Sequence, residues 1–108
     1  MRIDPPAKLL LIHIDETDTW GDARVPLYEA IVKKLFEAGI AGATVQRGIM
    51  GYGSNHRLHR KGLFGVADDR PVTIFAIDNE ARIRALLPKL RSMITEGVVF
   101  LLDGEVVA

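Results

Sequence analysis

The stretch Pro71-Val72-Thr73-Ile74-Phe75-Ala76-Ile77 constrains this chain more than any other. A strand places successive side chains on opposite faces. Val72, Ile74 and Ala76 then lie on one side, and Thr73, Phe75 and Ile77 on the other. Both sets are mostly apolar, so the strand calls for cover on both faces. Pro71 is allowed at a strand's first residue, where no ladder donor is needed. The run Lys8-Leu9-Leu10-Leu11-Ile12-His13-Ile14 is equally apolar and reads as a second central strand.

Only two segments carry a helical stripe that is able to supply that cover. Leu27, Ile31, Leu35 and Ala38 recur at helical spacing, widened by Ala30 and Phe36, and Gly39 closes the helix. Asp22 is positioned to cap it, with Pro26 in the first turn. In the second helix Ile83, Leu87, Leu90 and Ile94 repeat, capped by Asp78 or Asn79. Pro88 predicts a kink there or a later start. Gly42–Met50 and Val98–Leu102 supply two further strands.

The order βαββαβ gives an α+β, ferredoxin-like fold: a four-stranded antiparallel sheet with both helices on one face. The other face is left apolar, and a wide apolar patch is a liability on a monomer. We expect a second subunit to cover it. A C-terminal tail folded over the face is the alternative.

Composition bounds the function. At 108 residues the chain is expected to form one domain. Fourteen basic residues balance fourteen acidic ones, so net charge gives no argument for nucleic acid or an anionic membrane. The absence of cysteine excludes thiolate metal sites, disulfides and cysteine nucleophiles. No apolar run reaches the ~20 residues of a membrane span, and Met1–Pro6 lacks a cleavable leader pattern. A cytoplasmic protein with no membrane insertion is the expectation.

Residues 51–70 do not fit a simple hairpin, whose loop needs about two to five residues. The interval from Arg47 to Arg70 holds Arg47, Arg57, Arg60, Lys61 and Arg70 against Asp68 and Asp69. Five minus two leaves plus three, on a chain whose total is zero. Gly51 and Gly53, on either side of Tyr52, let backbone amides approach an anion without a Cβ in the way. Arginines pair with phosphate or carboxylate oxygens in a fork. A long, flexible, cationic loop with a site for a small anion at its base is the functional expectation. The alternative is that the glycines only allow a bend.

Other constellations are weaker. His56 and His59 have metal-ligand spacing, but Arg57, Arg60 and Lys61 repel a cation. Asp15, Glu16 and Asp18 lie on a strand-to-helix connection, where carboxylates usually cap or face solvent. No serine–histidine–acid set is formed, so no catalytic residue is assigned. Trp20 is a lid, an interface anchor or a packing residue at the start of the first helix. An RNA-binding module shares the βαββαβ order, but its third strand carries basic and aromatic residues. Here Val72–Ile77 has Phe75 alone.

Several segments together resemble one family: Glu16-Thr17-Asp18, Trp20, Pro26–Val32, Ala38–Val45, Arg47-Gly48, Gly51-Tyr52-Gly53 and Arg57-Leu58-His59. The chain is identified as a member of the PII-like proteins, in the branch called domain of unknown function 190, or UPF0166. The resemblance implies a homotrimer whose sheets pack inward, with residues 51–70 as a T-loop that docks on a target protein. It implies an adenine nucleotide in the clefts between subunits, at Arg47, Gly51, Tyr52, Gly53, Ser54, Asn55, Arg57 and His59. The family's glycine- and lysine-containing phosphate loop is reduced to Thr95-Glu96-Gly97, and its basic tail is replaced by Gly104–Ala108. AMP, ADP, a cyclic nucleotide or another small anion is therefore expected before ATP. The expected protein is a non-enzymatic sensor without a bound cofactor. A metal-binding protein like CutA is the alternative within this fold.

Overall fold

The computed structural model describes residues 1–53 and 70–108, and the main chain of 59 and 60. Four long strands form one antiparallel sheet in the order β4-β7-β1-β8. They are β1 (Ala7–Asp15), β4 (Gly42–Arg47), β7 (Pro71–Asn79) and β8 (Val98–Gly104). Helix α1 (Leu27–Glu37) links β1 to β4, and α2 (Glu80–Met93) links β7 to β8. Two short ribbons complete the described elements: β2 (Thr19–Trp20) with β3 (Val25–Pro26), and β5 (Met50–Gly51) with β6 (His59–Arg60). This is the ferredoxin-like arrangement expected from the sequence. Among the described residues no helix is long and apolar enough to cross a membrane.

Alternation divides the sheet cleanly. Register aligns Ile14 with Val72, Ile12 with Ile74 and Leu10 with Ala76. These residues are buried under Leu27, Ile31 and Leu35 of α1 and Ile83, Leu90 and Met93 of α2. On the opposite face three rows cross β7, β1 and β8: Ile77–Leu9–Leu102, Phe75–Leu11–Phe100 and Thr73–His13–Val98. Phe100 is 52% exposed, Val98 51% and Leu102 38%. The apolar second face is therefore real and wet. The tail does not cover it, since residues 105–108 are themselves exposed.

Helix α1 begins later than Asp22 suggests. Pro26 occupies the cap position with no side-chain bond, and residues 19–26 form the β2–β3 ribbon instead. The helix ends in a Schellman turn: Ile40 N–H donates to Leu35 O and Gly39 N–H to Phe36 O, with Gly39 at φ +75°. Phe36 does not widen the apolar stripe, because it is 83% exposed. Helix α2 starts where expected, with Asn79 Oδ1 accepting from Arg82 N–H at 2.9 Å. It runs through Pro88 to Met93. Pro88 is exposed, on the solvent side of the helix, and its missing N–H costs one helical hydrogen bond.

Asp78 is the one buried charged residue described, at 3% exposure. Its carboxylate accepts from Ala41 N–H (2.9 Å) and Asn79 N–H (2.7 Å), tying the turn after α1 to the end of β7. In register beside it, Lys8 binds Asp103 on β8 and lies 3.7 Å from Glu80. Glu80 also accepts from Arg84 Nε at 2.7 Å. The Lys8 ammonium holds the Asp103 carboxyl below its ordinary 3.8. The Arg84 bond holds Glu80 below 4.5. The bond to Asp103 raises Lys8 above 10.5.

The carboxylates' contribution is thus present above their ordinary values and lost as pH falls through the depressed ones. That of Lys8 is present below 10.5 and lost as pH rises through its raised value. Asp103→Asn is expected to lower Tm slightly at pH 7, with the gap to wild type closing below about pH 4, in a series of thermal melts. A larger effect is expected at Gly97, whose φ is +143° and whose added Cβ meets His13 O at 2.6 Å. Gly97→Ala should cost roughly 1–3 kcal/mol in urea unfolding, from strained backbone and a main-chain clash. Gly104→Ala, with open space around it, is the neutral control.

Candidate functional site

Pro71 organises the end of the sheet where residues 51–70 depart. Gly48 N–H donates to Pro71 O at 2.7 Å. Pro71 has no N–H to return, so the β4–β7 ladder stops at Arg47–Val72. This is why the expected strand Gly42–Met50 breaks after Arg47. The chain re-forms as β5, whose Met50 and Gly51 pair with Arg60 and His59. His59, singled out in the sequence, is thereby brought opposite Gly51 in the main chain.

The glycines here differ in role. A Cβ on Gly48 would meet Pro71 Cγ at 2.7 Å, and one on Gly51 would meet it at 3.1 Å. A Cβ on Gly53 would meet no atom of the described residues within 4 Å. Gly48 and Gly51 therefore let the base of the insertion lie flat on the proline ring. Tyr52, between Gly51 and Gly53, is exposed.

Arg47 forms an ion pair with Glu16, a residue of the β1–β2 connection. Glu16 N–H in turn donates to Arg70 O at 2.9 Å, which fixes that connection against the return of the chain. Its neighbours serve the turn. Asp15 Oδ1 accepts from Thr17 N–H and Oγ1–H, both at 2.9 Å, and Asp18 Oδ2 accepts from Asp15 N–H at 3.1 Å. Trp20 packs against the core beside α1, and Lys89 Nζ lies 5.6 Å from its ring centroid. Packing, not a lid, is what the structure shows for it.

Of the sequence-selected residues, the structure brings Arg47, Gly51, Tyr52 and Gly53 to one end of the sheet. Ser54, Asn55 and Arg57 lie outside the described residues, as do His56 and the side chain of His59. Among the described residues no three His, Asp or Glu side chains gather to hold a metal. Two contributors were missed by sequence reasoning: Gly48, for its contact with Pro71, and Glu16, for its pairing with Arg47. Both sit in motifs that carried the family resemblance, which was the available signal.

The geometry belongs to a known class. The fold is similar to that of CPII, a nitrogen regulatory PII-like protein from Thiomonas intermedia K12. The TM-score is 0.65 at 28% identity, over 94% of this chain and 88% of that one. That protein was solved bound to ADP, AMP and bicarbonate. The class is PII-like.

Residues 7–106 match the DUF190 family model, described as "Uncharacterized ACR, COG1993". A UPF0166 protein of Methanocaldococcus jannaschii is 36% identical over 101 residues, 93% of this chain and 91% of that protein. One from Aquifex aeolicus is 32% identical over 100 residues, 93% of this chain and 92% of the other. The chain belongs to the DUF190, or UPF0166, family.

The packing of Gly48 on Pro71 generates a test. Gly48→Ala is expected to destabilise the fold by about 1–3 kcal/mol in chemical unfolding, because a proline ring gives little. Gly53→Ala should stay within about 0.5 kcal/mol of wild type, since its Cβ meets no atom of the described residues.

Proposed function

We propose that this chain is a non-enzymatic, PII-like signalling protein that binds an adenine nucleotide at the base of its 51–70 segment. The observation that carries this is the convergence of Arg47, Gly51, Tyr52 and Gly53 where that segment leaves the sheet, in a fold matched by a relative bound to ADP and AMP. A guanidinium, a sterically open glycine and an exposed ring suit a phosphate and a base together.

Ser54, Asn55, Arg57 and His59 complete the proposed site from the segment itself. The clefts lie between subunits of a homotrimer, assembled through the apolar face of Leu9, Leu11, Phe75, Ile77, Phe100 and Leu102. Support for that assembly is the exposure of this face to water, which no described element of the chain relieves. The 51–70 segment then acts as a T-loop: ligand binding favours one of its conformations, and that conformation engages or releases a target protein. The protein works in the cytoplasm, and residues 1–108 form one domain.

The α2–β8 connection shapes the choice of nucleotide. Thr95-Glu96-Gly97 contains no lysine, and Gly97 is packed against His13 O. The connection itself offers no cation to a third phosphate, so mono- and diphosphates are favoured.

Isothermal titration of the intact chain with AMP, ADP and ATP, with and without bicarbonate, tests the proposal. AMP or ADP is expected to bind in the micromolar range, with ATP weaker than ADP by about fivefold or more. Absence of binding by all three would remove the input on which the signalling role depends.

A further inference from the structure

We propose that Glu16 is a specificity-determining residue of this site: its carboxylate occupies Arg47 and must be displaced before an anion is held there. The proposal rests on the nucleotide-binding function above and adds a residue outside the insertion to it.

Three observations carry it. Arg47 is a described cation at the base of the insertion, one residue before Gly48, and its guanidinium is paired with Glu16. Glu16 is not free to drift away, because its own N–H donates to Arg70 O at 2.9 Å. Its side chain is 25% exposed, against 55% for Arg47, so the carboxylate is the better anchored partner. Glu16 therefore stays in place while Arg47 can swing.

The physical consequence is an exchange. A guanidinium offers a planar fork of donors that suits one carboxylate or one phosphate face at a time. An incoming phosphate has to take Arg47 from Glu16, and the released carboxylate remains nearby as a like charge. An exposed ion pair is weak, so the exchange is reversible and a multiply charged phosphate wins it. A singly charged anion gains less from Arg47 and is discriminated against. Glu16 thus sets a charge threshold for occupancy.

The test is a double-mutant cycle read by ADP titration of the full chain, using Glu16→Gln, Arg47→Gln and the pair. Glu16→Gln is expected to tighten ADP by about threefold or more, and Arg47→Gln to weaken it. In the Arg47→Gln background, Glu16→Gln should tighten ADP by a clearly smaller factor, since only the like charge and not the competition for Arg47 is then removed. Glu16→Asp, which shortens the reach of the carboxylate, should tighten ADP in the same direction by a smaller factor. It serves as the reporter if Glu16→Gln does not fold.

Unchanged ADP affinity in the Glu16 variants overturns the proposal while leaving nucleotide binding intact. Equal tightening with and without Arg47 overturns it too, since the effect would then be a general field. Failure of ADP to bind wild type and every variant sinks both this proposal and the function it rests on.

Discussion

Everything in this molecule follows from an imbalance of cover. Two helices bury one face of a four-stranded sheet, through Leu10, Ile12, Ile14, Val72, Ile74 and Ala76. The strands carry apolar side chains on the other face as well, and there Phe100 and Val98 stand half exposed. At about 25 cal/mol per Å² of apolar surface, an uncovered face of this kind is a strong drive to associate. The face is also graded: the row His13–Thr73–Val98 carries two polar residues beside the valine, with His13 Nδ1 and Thr73 Oγ1 3.4 Å apart, and it lies toward the insertion. The apolar rows of Leu9, Leu11, Phe75 and Ile77 lie toward the opposite end.

The two ends of the sheet are built for different purposes. At one, Asp78 and the Lys8–Asp103–Glu80 cluster satisfy backbone amides and one another, locking the helices to the strands. At the other, Pro71 stops the β4–β7 ladder and Gly48 and Gly51 lie against its ring. A proline, which cannot continue the pairing, is what separates a rigid sheet from a segment available for another task. Arg47 is the last paired residue of β4 before that point, and Glu16 holds it there.

Much of the fold was legible because periodicity reports burial directly. Alternation in Val72–Ile77, the Leu27–Ile31–Leu35 stripe and Gly39 at the helix end each gave the right element. The errors share a cause: tertiary contacts invisible to local pattern. Asp22 looks like a cap, yet the chain uses residues 19–26 as a ribbon. Phe36 matches the stripe by number, yet points to solvent. Pro88 allows a later helix start, yet α2 begins at Glu80 and runs through it. In the site, Arg47 and the glycines stand out by residue type. The Glu16–Arg47 pair does not, because it joins positions far apart in sequence, and a carboxylate on a connection usually serves its own turn. Glu16 does not serve its own turn, whereas Asp15 and Asp18 do.

The central claim is that copies of this chain cover one another's apolar sheet face. Size-exclusion chromatography with multi-angle light scattering measures this directly. Three chains of 11.9 kDa predict a mass of about 36 kDa that persists on dilution into the low micromolar range. A stable species of 11.9 kDa, with Phe100 and Leu102 still wet, would contradict the account.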